Sequence, residues 1–367
     1  MFDIWKVSSV LSYLLKLSFW LALISTLASM KPDLVICIPT YNRVRELRHL
    51  LESFVYPLLK QYASRLHVLI ADNSDIQLQD LNRLNIRNNV SITYHANSSN
   101  LGYGGNILTL LELARPLGRY LWFLSDDDDV NIPMFHDFMT LLSADTYSVA
   151  LYVFGYHLKS SLNVATTSIL PQSHVASYTT FDKVVVECQK VLPFLLISSF
   201  ALETKYITDS VLCSMRQHCN DFAHISLLGL SLGANEIACT SRLCPIVYND
   251  VDGYPRIELD SVFWGYTQAL DSFDFLSEKD KKRLNKNFLR GLLYQVLRFK
   301  DDLNPKVRSC YSPFSHPYLR LASYLFKLPT LRGFLLILIA LSPRSFTELF
   351  LRLNSQRLKA VNTYVEL

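Results

Sequence analysis

Glycine and proline are scarce in this sequence, which has 11 glycines and 14 prolines among 367 residues. Disordered and fibrous chains are much richer in these two residues. Internal repeats and low-complexity tracts are missing as well. Half of the residues are hydrophobic, and a chain of this length corresponds to about two globular domains or one elaborated domain. The composition therefore excludes a disordered or fibrous protein and indicates an ordinary folded one.

Paired cysteines are also missing. The seven cysteines are odd in number, and they contain neither a Cys-x-x-Cys pair nor the spacing of a zinc ribbon. Disulfide frameworks and structural zinc sites depend on such patterns. We therefore expect a reduced, cytosolic protein that has no disulfide framework and no structural zinc.

The chain as a whole has no large excess of one charge, since its formal net charge is +4. The charges are nevertheless unevenly distributed, because residues 279–359 contain 17 Lys or Arg and 4 Asp or Glu. The remainder of the chain is acidic. A basic C-terminal part on an acidic body indicates a partner with an anionic surface, either phospholipid headgroups or nucleic acid.

An uninterrupted apolar run of about 20 residues, which a membrane-spanning helix needs, is lacking. Residues 7–29 come nearest to it and are broken by Lys16. We expect residues 1–30 to form an apolar helix that lies in or anchors to a membrane. A cleaved signal peptide, or a non-native start that precedes a native Met30, are the alternatives.

The C-terminal region, residues 276–367, combines basic segments with apolar runs such as the eight residues 334–341. Around residue 349, apolar side chains share one helical face and charged side chains share another. Basic amphipathic helices of this kind lie in the membrane interface. We therefore expect lipid rather than nucleic acid as the partner, since no nucleic-acid-binding module is recognisable. A helical region that packs on the rest of the protein is the alternative, and the two are compatible.

The first part of the chain alternates between short apolar runs and amphipathic segments. The runs LVICI, LHVLI, VSITY and YLWFL predict strands, and VRELRHLLESFVYPLLK and ILTLLELARPL have helical spacing. This alternation is typical of an α/β protein with an open, Rossmann-like, mostly parallel sheet flanked by helices. Ligands of such sheets bind beyond the C-terminal ends of the strands. Each predicted strand ends in a polar cluster, and these clusters are residues 39–43, 72–75, 97–106 and 126–129.

Four consecutive aspartates, Asp126 to Asp129, directly follow the last of these strands. Like charges at the edge of a core repel one another, and a divalent cation removes that cost. Mg²⁺ and Mn²⁺ prefer such oxygen ligands, usually one or two carboxylates together with the phosphates of a ligand. Asp126 and Asp128 share a face of an extended segment, so we predict them as metal ligands, with Asp127 as the nearest rival. Capping of a helix that starts near Ile132 is the alternative.

Four motifs together resemble those of the family 2 glycosyltransferases, nucleotide-sugar-dependent enzymes of the GT-A fold. The motifs are IPTYNR at residues 38–43, ADNSD at 71–75, NLGYGGN at 100–106 and DDDD at 126–129. Their order and spacing are similar to those of the nucleotide-binding half of that family. The stretch FLSDDDDV also resembles that of abequosyltransferase- and rhamnosyltransferase-like members, which favours a deoxyhexose donor.

The resemblance implies donor-binding roles for the first motif and the acidic run. Thr40, Tyr41 and Arg43, with Pro39 of the same motif, would contact the base and diphosphate of the donor. Asp127 would also contact the donor. In this family's pattern, Asp126 and Asp128 would hold a Mn²⁺ or Mg²⁺ ion that bridges the two phosphates.

The resemblance implies further donor contacts in the second and third motifs. Asp72 would hydrogen-bond the base, and Asn73 would support the turn. Gly102 would allow the backbone to approach the donor closely, since glycine has no Cβ. Asn106 would lie near the ribose or the diphosphate.

Asp221 is the candidate general base. Many relatives have an acidic pair in the acceptor half, whereas this sequence has Asn220 and Asp221 before an apolar helical run. A carboxylate there would deprotonate the acceptor hydroxyl in a single displacement that inverts the anomeric carbon. A helix N-cap is the alternative role of Asp221, and His224 is the reserve candidate for the base.

These inferences predict four regions, an activity and a location. Residues 31–150 would be the nucleotide-sugar-binding half of a GT-A domain, and residues 151–275 would be its acceptor half. The N-terminal helix 1–30 would precede this domain, and the basic region 276–367 would follow it. The expected enzyme is an inverting, metal-dependent glycosyltransferase that uses a nucleoside diphosphate sugar and a lipid-linked saccharide acceptor, in O-antigen or capsule assembly. We expect it in the cytoplasm, peripheral or N-terminally anchored at the inner membrane. A sugar nucleotidyltransferase and a non-catalytic nucleotide- or metal-binding partner are the alternatives.

Overall fold

The computed structural model describes residues 31–74, 91–144, 148–159, 164–167, 177–187, 197–217, 220–249, 259–286 and 288. The predicted N-terminal helix in residues 1–30 lies outside these ranges, as does almost all of the basic region beyond residue 288. Within the described ranges, no helix is both long enough and apolar enough to cross a membrane.

The elements of the first half follow the predicted alternation. They are β1 (Leu34–Thr40), α1 (Val44–Leu50), α2 (Tyr56–Tyr62), β2 (Leu66–Asp72), β3 (Ile92–Ala96), α3 (Gly102–Ala114), β4 (Tyr120–Phe123), β5 (Asp129–Val130) and α4 (Ile132–Ser143). A π-helical turn, Leu51–Val55, joins α1 to α2. Pro57 follows this turn and has no N–H group for a regular helical hydrogen bond, so the break in α-helical pairing coincides with the proline.

The second half adds five strands and four helices within the described ranges. Its elements are β6 (Leu151–Lys159), β7 (Val164–Thr167), β8 (Ser177–Thr180), α5 (Phe181–Glu187), β9 (Phe200–Glu203), α6 (Asp209–Met215), α7 (Ala223–Ser231), β10 (Ile237–Asn249) and α8 (Leu259–Asp271). Two 3₁₀ turns, Ile197–Ser199 and Thr204–Tyr206, flank β9.

All the described strands belong to one sheet, in the order β3-β2-β1-β4-β9-β6-β10-β5, with β7 on β6 and β8 on β10. Strands β3, β2, β1 and β4 are mutually parallel. Strand β9 is antiparallel to both of its neighbours, β4 and β6. The sheet is therefore continuous across the two predicted halves, since β9 lies between β4 and β6 and β5 pairs with β10.

The sheet is covered on both faces, which explains the nearly continuous apolar sequence of its central strands. In β1, Val35 and Cys37 point into a core formed with α3, α7 and α8. The alternate residues Leu34, Ile36 and Ile38 point into a second core formed with α1, α2 and α4. The molecule is a three-layer α/β/α structure, and its polar strand ends are the part of the sheet that these layers leave for a ligand.

Candidate active site

The parallel strands bring the four predicted polar clusters to one edge of the sheet. Thr40 is in register with Asp72, and Asp72 is in register with Ala96 on the next strand. Strand β4 runs parallel to β1 on its other side and leads into the four aspartates. The C-terminal ends of β1, β2, β3 and β4 thus define one site, as expected for an open α/β sheet.

Asp126 is the point at which the first motif and the acidic run meet. The Thr40 hydroxyl donates to Asp126 Oδ2 at 2.7 Å, and the Arg43 guanidinium donates to Asp126 Oδ1 at 2.9 Å. The same Arg43 nitrogen donates to Asp127 Oδ2 at 2.6 Å. Residues 83 to 86 positions apart in the sequence therefore form one charged cluster.

Asp128 is held from the other side of the site. The Ser198 hydroxyl donates to Asp128 Oδ2 at 2.5 Å. Ser198 lies in the 3₁₀ turn that precedes β9, outside every motif that the sequence singled out. The acidic run is thus hydrogen-bonded by Thr40 of β1 at Asp126 and by Ser198 of the second half at Asp128.

Burial alternates along the acidic run. Asp126 and Asp128 are buried, whereas Asp127 and Asp129 are half-buried. The prediction that Asp126 and Asp128 share a face agrees with this pattern. The segment is nevertheless a turn rather than an extended strand, since the Asp128 N–H donates to the Ser125 carbonyl at 3.3 Å.

The aspartates do not cap helix α4, which was the alternative reading of the run. The N-cap residue is Asn131, whose side chain accepts the N–H of Met134. Asp129 begins β5, which pairs with β10, and its Oδ1 lies 3.2 Å from Nε2 of His49. The acidic residues are therefore available for another task than helix capping.

Burial makes the ionised forms of Asp126 and Asp128 costly. Burial raises the pKa of Asp128 to about 8, reinforced by the neighbouring carboxylates and opposed by the hydrogen bond from Ser198. Burial also raises the pKa of Asp126 to about 6, although Thr40 and Arg43 oppose the rise. A cation bound at these two carboxylates would offset this cost.

The donor set fits Mn²⁺ or Mg²⁺ bound together with a ligand. These ions are commonly held by one or two carboxylates plus the phosphates of a ligand. Asp126 and Asp128 provide two buried carboxylates. The part of the chain that the structure describes contains no group of three or more His, Cys, Asp or Glu side chains placed to hold a metal. The phosphates of a bound substrate are the usual further ligands of such an ion.

Asp72 forms a second polar group beside the first. Its Oδ1 accepts the Ser74 N–H at 2.8 Å and the Ser74 hydroxyl, and its Oδ2 accepts the Tyr94 hydroxyl at 2.6 Å. Asp72 is 2% exposed. Its carboxylate is thus fixed in orientation by β3 and by the turn after β2.

Asn73 organises the glycine-rich loop. Its side chain donates to the Gly102 carbonyl at 2.9 Å and accepts from Asn97 at 2.7 Å. Asn106 is buried, and its amide group bonds Asn97 and the carbonyls at the ends of β1 and β2. The position of Asn106 thus gives it a role in joining strand ends, beside the predicted role near the ribose.

Gly102 is the first residue of α3. Gly102 has φ +71°, a left-handed conformation that favours glycine, and an added Cβ would meet no protein atom within 4 Å. Backbone conformation is therefore one reason for glycine at this position.

Tyr41 follows β1 with 44% of its surface exposed, so its ring is available to a ligand. Pro39, the remaining predicted donor residue, is half-buried.

The candidate base lies at the start of α7, which begins at Ala223. The N-cap is Phe222, which makes no side-chain cap, and its N–H is accepted by Oδ1 of Asn220 at 2.8 Å. The alternative role of Asp221 as N-cap is therefore not observed. Asp221 is exposed, so it is accessible to a substrate.

Tyr103 connects this helix to the glycine-rich loop. Its hydroxyl lies 3.1 Å from Nδ1 of the buried His224. Burial raises the pKa of Tyr103, and the charge of Asp221 adds to the rise. Tyr103, which is next to Gly102, is thus in direct contact with His224, which is three residues after Asp221.

Comparison with protein families matches residues 35–190 to the family described as Glycosyl transferase family 2. This segment is a family 2 glycosyltransferase domain. The match includes all four motifs and ends before Ser198 and Asp221. A comparison with the curated proteins finds no match.

Solved structures share the GT-A fold of this glycosyltransferase. The structure of S. aureus TarS 1-349 has a TM-score of 0.51 and 15% sequence identity, and the similarity covers 91% of this chain and 89% of that chain. The same fragment in complex with UDP-GlcNAc has a TM-score of 0.52 at the same identity and coverage. At this identity the likeness concerns the fold.

Two residues of the glycosyltransferase site carried no signal in the sequence. Tyr94 lies in β3, and the pairing of β3 with β2 brings it to Asp72. Ser198 is 70 residues from Asp128, and no local pattern marks it. The predicted residues of the first motif and of the acidic run, by contrast, are in direct contact.

Proposed function

We propose that this glycosyltransferase moves a sugar from a nucleoside diphosphate donor to a saccharide acceptor with inversion at the anomeric carbon. The observation that carries the proposal is the junction of Thr40 and Arg43 with Asp126 and Asp127 at the C-terminal ends of β1 and β4. A buried carboxylate, a guanidinium and a second acidic side chain at this edge suit a diphosphate held with a cation. The crystallised complex of TarS 1-349 with UDP-GlcNAc, which shares the fold, supports a donor of this class.

We assign Asp126 and Asp128 as the residues that would hold Mn²⁺ or Mg²⁺, and Asp127 as a donor contact. The ion would stabilise the charge that develops on the departing diphosphate. Arg43 contributes positive charge at the same place, since it bridges Asp126 and Asp127 with 37% of its side chain exposed. Asp72, held by Tyr94, would accept an N–H group of the base.

We assign Asp221 as the general base. It is exposed just before α7, and His224, three residues further on, contacts Tyr103 beside the glycine-rich loop. The carboxylate would take the proton of the acceptor hydroxyl as this oxygen attacks the anomeric carbon. One base and one displacement invert the configuration, whereas retention needs a carboxylate nucleophile on the opposite side of the sugar.

We further propose a lipid-linked saccharide acceptor at the cytoplasmic face of a membrane, in the assembly of a surface polysaccharide. The support is the sequence of residues 279–359, with 17 Lys or Arg and 4 Asp or Glu. Basic amphipathic segments bind anionic lipid surfaces. A deoxyhexose is the donor sugar that the acidic motif favours.

The experiment that tests this function is transfer to water or methanol from a panel of UDP-, dTDP-, GDP- and CDP-sugars, with the product followed by proton NMR before mutarotation. We expect one nucleotide class to be cleaved and an α-linked donor to give the β product. Asp221→Asn should lose turnover and keep nucleotide binding. Glu236→Gln, which changes a carboxylate bonded to Tyr206 instead, is the matched control and should retain turnover.

Three outcomes would contradict the proposal. Retention of configuration at the anomeric carbon would contradict a mechanism with a single displacement. Turnover by Asp221→Asn at the native rate would remove Asp221 as the base. Cleavage of none of the sugars, together with formation of a sugar nucleotide from a nucleoside triphosphate and a sugar phosphate, would establish a nucleotidyltransferase.

A further inference from the structure

Ser198 is a fully buried side chain that hydrogen-bonds the acidic run and the strand before it. Its hydroxyl donates to Asp128 Oδ2 at 2.5 Å and accepts the N–H of Ser125 at 3.0 Å. Its carbonyl accepts the indole N–H of Trp122 at 2.7 Å. Main chain and side chain of Ser198 are therefore both fixed by the segment that carries the aspartates.

The direction of the hydroxyl proton follows from these contacts. A serine hydroxyl has one proton to donate and lone pairs to accept with. The N–H of Ser125 can only donate, so it occupies a lone pair of Ser198 and leaves the proton for Asp128. Among the described side chains, no other one hydrogen-bonds the carboxylate of Asp128. Within the described residues, Ser198 is thus the side chain that fixes Oδ2 of Asp128.

The two buried aspartates are thus oriented from different parts of the chain. Asp126 is held by Thr40 and Arg43 of the first motif. Asp128 is held by the turn Ile197–Ser199, which follows residue 190, where the family match ends. A site that depends on both aspartates therefore requires the turn before β9 as well as the donor half.

We propose that Ser198 is a positioning residue for the cation site: it holds the carboxylate of Asp128 in the orientation that binds Mn²⁺ or Mg²⁺. This inference rests on the metal assignment in the proposed function. Residues that hydrogen-bond a metal ligand typically contribute about 10- to 100-fold to metal affinity, because they fix the ligand before the ion arrives.

The test is a titration of the full-length protein with Mn²⁺ alone, followed by the electron paramagnetic resonance signal of free Mn²⁺. We expect Ser198→Ala to weaken Mn²⁺ binding by about 10- to 100-fold and Ser198→Thr, which keeps a hydroxyl, to restore most of it. Ser199→Ala is the matched control, since Ser199 is the neighbouring serine of the same turn and is equally buried. Asp128→Asn shows how far Mn²⁺ binding falls when the metal-binding carboxylate itself is lost. Far-ultraviolet circular dichroism and a denaturant titration establish that each variant is folded.

The outcomes separate this inference from the proposed function. If Asp128→Asn loses Mn²⁺ binding and Ser198→Ala binds like the native protein, the positioning role is wrong and the metal site stands. If Ser199→Ala weakens binding as much as Ser198→Ala, the effect belongs to the turn as a whole and the inference is also wrong. If the native protein binds no Mn²⁺, both the metal assignment and the role of Ser198 are overturned, while release of nucleoside diphosphate in the presence of a chelator still reports sugar transfer.

Discussion

Thr40 and Asp126 are 86 residues apart in the sequence, and the Thr40 hydroxyl donates to the Asp126 carboxylate at 2.7 Å. Both side chains are buried, with 4% of each residue exposed. The contact is possible because β1 and β4 are parallel neighbours that end at the same edge of the sheet. It fixes one aspartate of the acidic run to the motif that begins the family 2 domain.

Thr40→Val should destabilise the protein and weaken nucleotide binding. Valine has nearly the shape of threonine but cannot donate, so Asp126 would lose a hydrogen bond in a buried position, at a cost of about 1–3 kcal/mol. Denaturant unfolding measures the first effect and calorimetric titration with nucleotide the second. Thr204→Val is the control, because the Thr204 hydroxyl is also buried but bonds backbone carbonyls at the start of β4. It should cost stability and leave binding unchanged; equal losses of binding in the two variants would refute a specific role for Thr40.

Tyr94→Phe should weaken nucleotide binding with little effect on the fold. The change removes the hydroxyl that donates to Asp72 Oδ2 at 2.6 Å. The Asp72 carboxylate, which we assign to hydrogen-bonding of the nucleobase, would then be less well oriented. We expect a loss of about 0.5–1.5 kcal/mol of binding free energy, the usual contribution of one hydrogen bond. Tyr62→Phe removes a hydroxyl that contacts His136 between α2 and α4 and serves as control. Unchanged nucleotide affinity in Tyr94→Phe would argue against base recognition by Asp72.

The two buried aspartates predict that the metal-free protein loses stability as the pH rises. The pKa of Asp128 is raised from 3.8 to about 8 in the folded protein. A carboxyl group with a raised pKa stabilises the folded state while it is protonated, and this contribution is lost between the unfolded and the folded pKa. Asp126, with a pKa of about 6, contributes the lower part of the window.

The measurement is the free energy of unfolding in chelator from about pH 5 to about pH 9. The native protein should lose more stability across this range than Asp128→Asn, whose side chain does not titrate. Added Mn²⁺ should restore more stability at the alkaline end, where the carboxylates are ionised. Parallel pH profiles for the two proteins would show that Asp128 does not titrate in this way.

The sequence predicted the elements that have a local pattern. The apolar runs became β1, β2, β3 and β4, and the segment with helical spacing that starts at Val44 became helical and buries Leu47, Leu50, Leu51 and Phe54. The prediction that Asp126 and Asp128 share a face agrees with their burial, since Asp127 between them is half-buried. The turn between them was not predictable, since four identical residues give no turn signal.

The contacts that the sequence did not reveal are those that the sheet order creates. Strand β9 lies antiparallel between β4 and β6, and the sequence of its four residues does not predict that position. It brings Ser198 to Asp128 across 70 residues. The contact of Tyr103 with His224 spans 121 residues and likewise depends on how α7 packs on α3. Local periodicity predicts elements, whereas the partners of an element are decided by the whole core.

The central claim is that the acidic run binds the diphosphate of a nucleotide donor together with a cation. The most direct test is calorimetric titration of UDP, dTDP, GDP and CDP into the purified protein, with and without Mn²⁺, beside an Asp126→Ala/Asp128→Ala variant. We predict that one nucleotide binds in a Mn²⁺-dependent manner and that the variant loses this binding while remaining folded. Binding that is identical with and without Mn²⁺, or identical in the variant, would contradict a donor site built on these aspartates.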